Sequence, residues 1–208
     1  MKELSSLYVK EDMKRLITCR INHEFLTNLA LFANLGATEL YRYGLEAYEN
    51  GDFELAKKCE VLNKVINNCS IKSTCKIGKG SKLAYGGIGT LIHPTTIIGE
   101  YCTLGVGVTL GNSPIIENYV YISTGARIIR NKCHVESFSI IGANAVVRNS
   151  IAPYTIVAGV PAKEIKKITP KNIDKYLEYF CAYDKTDKEF REETRTRFLN
   201  EYRDYMER

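Results

Sequence analysis

The sequence predicts a mainly β fold in which short strands wind into a parallel β-helix. The first observation is a series of aliphatic residues that recur six positions apart, namely Ile92, Ile98, Leu104, Leu110, Ile116, Ile122 and Ile128. The second is a small or compact residue four positions after each aliphatic, as at Cys102, Val108 and Ala126. A period of six fits neither a helix nor an isolated strand, but it fits a solenoid whose strands meet at tight corners. Each hexad is then one side of a triangular coil.

The same rhythm sets the limits of the predicted domains. It starts upstream at Ile71, Ile77 and Leu83, and after a one-residue slip it continues through Ile129, Val135, Ile141 and Val147. Glycines such as Gly99 and Gly142 suit the corners, since glycine tolerates tight backbone geometry. We expect the β-helix over residues 69–165, with an N-terminal helical segment over residues 1–68 and a C-terminal helical extension over residues 166–208.

Helical spacing of apolar residues appears on both sides of the repeats. Residues 23–49 and 52–66 are predicted helices, separated by the turn and cap signal Asn-Gly-Asp. After the repeats, residues 173–184 and 187–208 are also predicted to be helical. Phe190, Phe198, Tyr202 and Tyr205 mark one face of the last helix. We expect this face to dock on a coil or on a neighbouring subunit.

Composition excludes several classes of protein. The chain has 208 residues, a net charge of +5 and 45% hydrophobic residues, with basic and acidic residues interspersed, so nucleic-acid binding is not expected. No stretch has the length and apolarity of a membrane span or a signal peptide. Seven cysteines occur without a CxxC pair, which favours reduced, buried thiols in a cytoplasmic protein. Cys102 and Cys133 fall at inward positions, and we assign them to packing.

One interval in the repeats is irregular. Leu83 and Ile92 are nine residues apart instead of six, so three residues in the stretch "AYGGIGT" must leave the wall as a loop. Insertions in solenoids form loops on one face, often the binding face. The pair Gly86-Gly87 would let a ligand or a neighbouring backbone approach closely. We therefore favour a functional loop over a surface bulge.

Two segments carry a family resemblance. "GGIGTLIHPTTIIGEYCTLGVGVTLG" and "IIGANAVVRNSIAPYTIVAGVPAKEI" resemble the hexapeptide-repeat acyltransferases, in particular serine O-acetyltransferases and bacterial sugar O-acetyltransferases. The resemblance implies a left-handed β-helix, a homotrimer with ligand clefts between neighbouring coils, and acetyl-CoA as the acyl donor. It also implies a hydroxyl of a small molecule or sugar as the acceptor.

The resemblance further implies a set of acceptor-site residues. In the family a histidine before the glycine loop acts as general base, a carboxylate from the preceding coil orients it, and a second histidine in a His-Pro pair helps to hold the acceptor. The corresponding residues of this chain are Tyr85, Ser70 and Ser113. A phenol is a poor base at neutral pH, so the catalytic role is open between Tyr85 and His93. Substrate contacts are expected from Gly86, Gly87, Ser70 and Ser113.

The cofactor site follows from the same resemblance. The residues expected to line the pantetheine groove with backbone groups are Thr124, Gly125, Ala126, Gly142 and Ala143. The small residues Ala158, Gly159 and Ala162 would admit a flat ligand, and Lys163, with Lys166 and Lys167 nearby, would meet phosphates. We expect no metal, because the chain does not offer the three-histidine site of the carbonic anhydrase variant of this architecture.

Two functional hypotheses remain open at this point. The first is an acetyl-CoA-dependent O-acetyltransferase whose acceptor is a sugar or polysaccharide precursor rather than free serine. The second is a catalytically impaired family member that serves as a trimeric CoA-binding or scaffold subunit, as the missing histidine and carboxylate indicate.

Overall fold

A parallel β-solenoid forms the centre of the protein. The structure, a computed structural model, describes residues 36–129, 131–181 and 187–207, and Leu35–Arg208 form one compact unit. Within the described residues the solenoid walls are two-residue strands: β1 Lys76–Ile77, β2 Lys82–Leu83, β3 Leu91–Ile92, β4 Ile97–Ile98, β5 Thr103–Leu104, β6 Thr109–Leu110, β7 Ile115–Ile116, β8 Tyr121–Ile122, β9 Arg127–Ile128, β10 His134–Val135, β11 Ile140–Ile141 and β12 Val146–Val147.

The strands stack into three parallel faces of about four turns. Face 1 contains β1, β4, β7 and β10, face 2 contains β2, β5, β8 and β11, and face 3 contains β3, β6, β9 and β12. Leu91 pairs with Thr109, which pairs with Arg127, so one coil is three hexads. The predicted fold class is confirmed.

Three corners join the faces of the triangle. The aromatic corner joins face 1 to face 2 (residues 78–81, 99–102, 117–120 and 136–139). The loop corner joins face 2 to face 3 (residues 84–90, 105–108, 123–126 and 142–145). The histidine corner joins face 3 to the next face 1 (residues 93–96, 111–114, 129 and 131–133). The one-residue slip is accommodated at the histidine corner, where Lys132 has a φ of 51°.

The interior follows the hexad pattern. The aliphatic Ile122 and Ile128 and the smaller Val108 and Ala126 are fully buried, which provides the apolar burial that stabilises the coils. The six cysteines in the described residues are buried. Burial raises the pKa of the Cys102 thiol to about 12, and its Sγ donates to the Glu117 carbonyl at 2.8 Å. Both observations agree with a packing role for Cys102.

Two helices cover the first coil. Helix α1 spans Ala37–Glu49 and α2 spans Phe53–Ile66, with Asp52 capping α2 by accepting a hydrogen bond from the Leu55 amide. The Tyr41 hydroxyl of α1 donates to the Cys75 carbonyl at 2.7 Å. The earlier part of the predicted first helix, residues 23–35, lies outside the described residues. No helix among the described residues has the length and apolarity to cross a membrane.

The C-terminal segments extend and cover face 2. Strands β13 (Thr155–Ala158) and β14 (Lys163–Lys167) form an antiparallel pair that ends the sheet of face 2. A 3-10 turn (Ile173–Lys175), α3 (Leu177–Phe180) and α4 (Lys188–Met206) follow. Phe198 of α4 is fully buried against the solenoid of its own chain. The expected face of α4 therefore packs on a coil of its own chain.

A ladder of aromatic rings forms the surface on which α4 lies. Tyr101, Tyr119, Phe138 and Tyr154 follow one another from coil to coil, each with a φ between 54° and 57°. The ring centroids of Tyr101 and Tyr119 are 5.1 Å apart, and those of Tyr119 and Phe138 are 4.8 Å apart. The sequence analysis did not anticipate this ladder.

Candidate functional site

The inserted loop forms a rigid turn at the loop corner. Its central residues, Tyr85 (φ 52°, ψ 43°) and Gly86 (φ 71°, ψ 5°), both have left-handed backbone conformations. The Leu83 amide donates to Thr38 Oγ1 of α1 at 3.0 Å, and the Gly107 amide of the next coil donates to the Ile88 carbonyl at 2.9 Å. The loop is thus fixed from above by a helix and from below by the solenoid.

The two loop glycines have different surroundings. A Cβ on Gly87 would lie 2.7 Å from the Cβ of Ala37, so the lack of a side chain at this buried glycine lets α1 pack against the loop. A Cβ on Gly86 would meet nothing closer than Asn67 Oδ1 at 3.9 Å. Of the pair, only Gly86 leaves space for a ligand.

Tyr85 projects from the loop toward face 2. Its side chain is 81% exposed. Burial raises the pKa of the Tyr121 phenol on β8, and the nearby phenols of Tyr179 and Tyr85 add to this increase. The side chain at the family's histidine position therefore lies beside other tyrosines.

His93 is held by two hydroxyl groups at the histidine corner. Its Nδ1 lies 3.0 Å from Thr95 Oγ1 and 3.4 Å from Ser113 Oγ, and the two hydroxyls are also hydrogen-bonded to each other. The Thr95 amide points at the same Nδ1 at 3.4 Å. Because an amide N–H can only donate, Nδ1 acts as the acceptor and the neutral imidazole carries its proton on Nε2.

The predicted acceptor residues are divided between two corners. Ser113 joins His93, whereas Tyr85 and Gly86 lie at the loop corner, on the other side of face 3. Ser70 is near the loop corner, where its carbonyl accepts from the Ile92 amide at 2.9 Å. It borders a cleft of about 360 Å³ with Lys64, Asn68, Cys69, Gly89, Thr90 and Leu91. A single chain does not bring Tyr85 and His93 together.

A strip of small side chains runs along the loop corner below the loop. Thr124 and Ala143 are exposed, and successive coils are joined by hydrogen bonds from the Gly125 amide to the Val106 carbonyl and from the Asn144 amide to the Thr124 carbonyl. A Cβ on Gly107 would touch no atom within 4 Å. The strip extends about 14 Å from Ile88 to Ala143, at about 4.8 Å per strand step.

Several backbone groups of the predicted pantetheine groove already have hydrogen-bond partners in the solenoid. Ala126 is fully buried, its amide donates to the Ser123 carbonyl, and its carbonyl accepts from the Thr109 amide. The amides of Gly125 and Gly142 donate to the carbonyls of Val106 and Val157. The Gly125 and Gly142 amides thus pair neighbouring coils and the Ala126 amide is used within its own turn, so Thr124 and Ala143 are the exposed members of the predicted groove.

The strip ends near the β13–β14 pair. Ala158 is half-buried, Gly159 and Lys163 are exposed, and Ala162 donates its amide to the Val146 carbonyl at 2.8 Å. A cleft of about 590 Å³ beside them is bordered by Ile129, Arg148, Asn149 and Pro161. Arg148 follows β12 at the end of face 3 and shares this cleft with Ile129 of the histidine corner; its guanidinium is a suitable phosphate ligand that was not among the predicted residues.

Comparison with known proteins identifies the family. No family model matches the chain. The serine acetyltransferase of Staphylococcus epidermidis is 31% identical over 147 residues, which cover 67% of this chain and 68% of that protein. The enzyme of Staphylococcus aureus is 29% identical over the same length. The chain belongs to the serine acetyltransferase family. The predicted hexapeptide-repeat acyltransferase is thereby confirmed.

Solved structures agree with this assignment. A serine acetyltransferase in complex with CoA is 30% identical, with a TM-score of 0.58 over 62% of this chain and 55% of that chain. The serine acetyltransferase of Neisseria gonorrhoeae is 28% identical, with a TM-score of 0.60 over 65% of this chain and 56% of that chain. The chain thus spans a little more than half the length of these solved relatives.

Proposed function

We propose that the protein is an acetyl-CoA-dependent O-acetyltransferase that acts on a hydroxyl of a small molecule or sugar. The observation that carries the proposal is that the fixed loop and the open strip of small residues share one corner of the solenoid. A relative in complex with CoA supports the identity of the donor. The buried cysteines of the described residues support the proposed cytoplasmic location.

The donor would lie along the loop corner. Thr124 and Ala143 leave space for an extended pantetheine arm beside Gly107, where no neighbouring atom closes the corner. Ala158, Gly159 and Ala162 would admit the adenine end, and Lys163 and Arg148 would meet its phosphates. The acceptor oxygen would attack the thioester carbonyl, so that a C–O bond forms, the C–S bond breaks and the thiol leaves with the acceptor's proton.

The two corners would form one site in a homotrimer. Three solenoids arranged with face 3 toward a common axis bring the loop corner of one protomer to the histidine corner of the next. Tyr85, Gly86 and Ser70 of one protomer would then face His93 and Ser113 of its partner. Because His93 Nδ1 is within reach of two hydroxyls, it can receive the acceptor's proton through one of them.

A second candidate function rests on Tyr85 and Ser70. These residues stand where the resemblance expects a histidine and a carboxylate, and neither a phenol nor a serine hydroxyl is a base at neutral pH. The candidate is a trimeric CoA-binding or scaffold subunit without turnover. Such a subunit would keep the strip of small residues at the loop corner but would not catalyse acetyl transfer.

Calorimetric titration with CoA and an assay of thiol release from acetyl-CoA separate the candidates. The acceptor series should contain serine and a set of methyl glycosides. We expect CoA binding and acceptor-dependent thiol release. CoA binding without transfer to any acceptor would support the subunit without turnover. A chain that does not bind CoA would overturn both candidates.

A further inference from the structure

Four tyrosines gather on face 2 beside the loop. The ring centroids of Tyr121 and Tyr179 are 4.9 Å apart at an interplanar angle of 72°, and those of Tyr176 and Tyr179 are 6.5 Å apart. Tyr85, in the loop at the end of the same face, is close enough to Tyr121 for its phenol to contribute to the raised pKa of the Tyr121 phenol. We call these four residues the tyrosine platform.

The platform is held in place by buried neighbours. Leu177 and Phe180 alternate with the platform residues along the chain, and both are almost fully buried. The Nζ of Lys166 lies 6.0 Å from the centroid of the Tyr176 ring. Tyr121 is an outward residue of β8 in the solenoid wall. The rings are therefore positioned before any ligand arrives, which lowers the entropy cost of binding.

The platform is more exposed than the centre of the aromatic ladder. Phe138 and Phe198 are fully buried, whereas Tyr121, Tyr176 and Tyr179 are half-buried and pack on the outside of the same cluster, and Tyr85 is 81% exposed. Core packing alone does not require a phenol that is four-fifths exposed. The exposed carboxylate of Glu178 adds a hydrogen-bond acceptor at the same place.

We propose that the tyrosine platform binds the pyranose ring of a sugar acceptor and presents one of its hydroxyls to the loop. A pyranose has an apolar face of C–H groups and an edge of hydroxyls, which match the ring faces and phenol groups of tyrosine. Free serine has no ring to stack on them. The inference rests on the proposed function, since it names the acceptor class of that same site.

The experiment measures binding without acetyl-CoA. Saturation-transfer NMR and tyrosine fluorescence, which is unobscured because the chain has no tryptophan, report binding of methyl glycosides of hexoses and 2-acetamidohexoses, with serine as the comparison. Tyr179→Ala should weaken the best glycoside about 10-fold or more, whereas Tyr179→Phe, which keeps the ring, should stay within about 2-fold. Tyr43→Ala, at an exposed tyrosine of α1, is the matched control.

Tyr85→Ala serves as a second variant, because its exposed side chain can be removed without disturbing the core. It should also weaken the glycoside, and both alanine variants should bind CoA like the wild type. The proposal is overturned if serine binds and no glycoside does, if neither variant affects glycoside binding, or if Tyr179→Ala weakens CoA, which would make the platform an adenine site. Glycoside binding without acetyl transfer would contradict the proposed function alone.

Discussion

The loop corner and the aromatic corner are equivalent edges of the solenoid that carry different kinds of side chain. Both are edges of one triangular coil, and both contain residues with left-handed backbone, such as Gly125 at one and Tyr119 at the other. At the loop corner, glycine and small residues leave the edge open. At the aromatic corner, stacked rings fill the edge, and α4 covers it. The backbone repeat thus supplies equivalent edges, and the side chains decide whether an edge binds a ligand or a helix.

The largest effect should come from removing a ring beneath α4. Phe198 is fully buried and meets Phe138 and Tyr154 edge to face. Phe198→Ala should lower the free energy of unfolding by about 3–5 kcal/mol, because it removes apolar contacts and leaves a cavity. Denaturant titration measures this. Met206→Ala, at an exposed position of the same helix, should change stability by less than about 0.5 kcal/mol. Equal losses in the two variants would contradict a structural role for the aromatic corner.

The reverse kind of substitution, from a small residue to a large one, should affect ligand binding rather than stability at the loop corner. Ala143→Trp should weaken CoA binding on the order of 10²-fold with little change in stability, because the added ring fills the strip. Ala152→Trp, at an exposed alanine beside the aromatic corner, is the control and should bind CoA normally. Calorimetry gives both affinities. Wild-type affinity for CoA in the Ala143→Trp variant would contradict the proposed position of the groove.

Removal of the half-buried imidazole of His93 should lower turnover. His93→Ala should reduce acetyl transfer on the order of 10²-fold, the range for removal of a general base, while Tyr85→Phe should lose less. His134→Ala is the control, because the His134 Nε2 lies 2.7 Å from Glu117 Oε1 of the aromatic corner, so this imidazole is engaged outside the cluster of His93, Thr95 and Ser113. Turnover that neither His93→Ala nor Tyr85→Phe changes would show that the chemistry lies on other residues.

The smallest expected effect is a gradual loss of stability at high pH. Burial raises the pKa of Cys69 and Cys102 to about 12 from 9.0. The folded state keeps these protons over a pH range in which the unfolded chain releases them. Stability is therefore fully present below pH 9 and falls as the pH rises toward 12. Denaturation midpoints at about pH 7 and about pH 10.5, with a reductant, test this, and Cys102→Ala should reduce the fall. Equal midpoints at both pH values would contradict it.

The repeat itself could be predicted because it is local and recurs along the chain. Ile122 and Val108 obey a six-residue rule that needs no knowledge of distant contacts. The aromatic ladder could also be predicted from the sequence, because Tyr101, Tyr119 and Phe138 each precede a compact inward residue and follow one another at intervals of one coil. These aromatic residues recur about every eighteen residues, the length of one coil, and not every six.

The candidate site was less predictable because its contacts cross coils or helices. Gly87 was assigned to a ligand, but its close neighbour is Ala37, which is 50 positions away. Ala126 was assigned to the groove although its hexad position already directed it inward. Thr95 and Ser113 are one coil apart, so their joint contact with His93 follows only once the coil length is known.

The central claim, that the loop corner is the CoA-binding edge and the aromatic corner is structural, is tested most directly by a crystal structure of the full chain with CoA. The account predicts an extended ligand along Val106, Thr124 and Ala143, with its phosphates near Lys163 and Arg148 and no displacement of α4. A ligand bound beneath α4, or along face 1 and away from the loop, would contradict it.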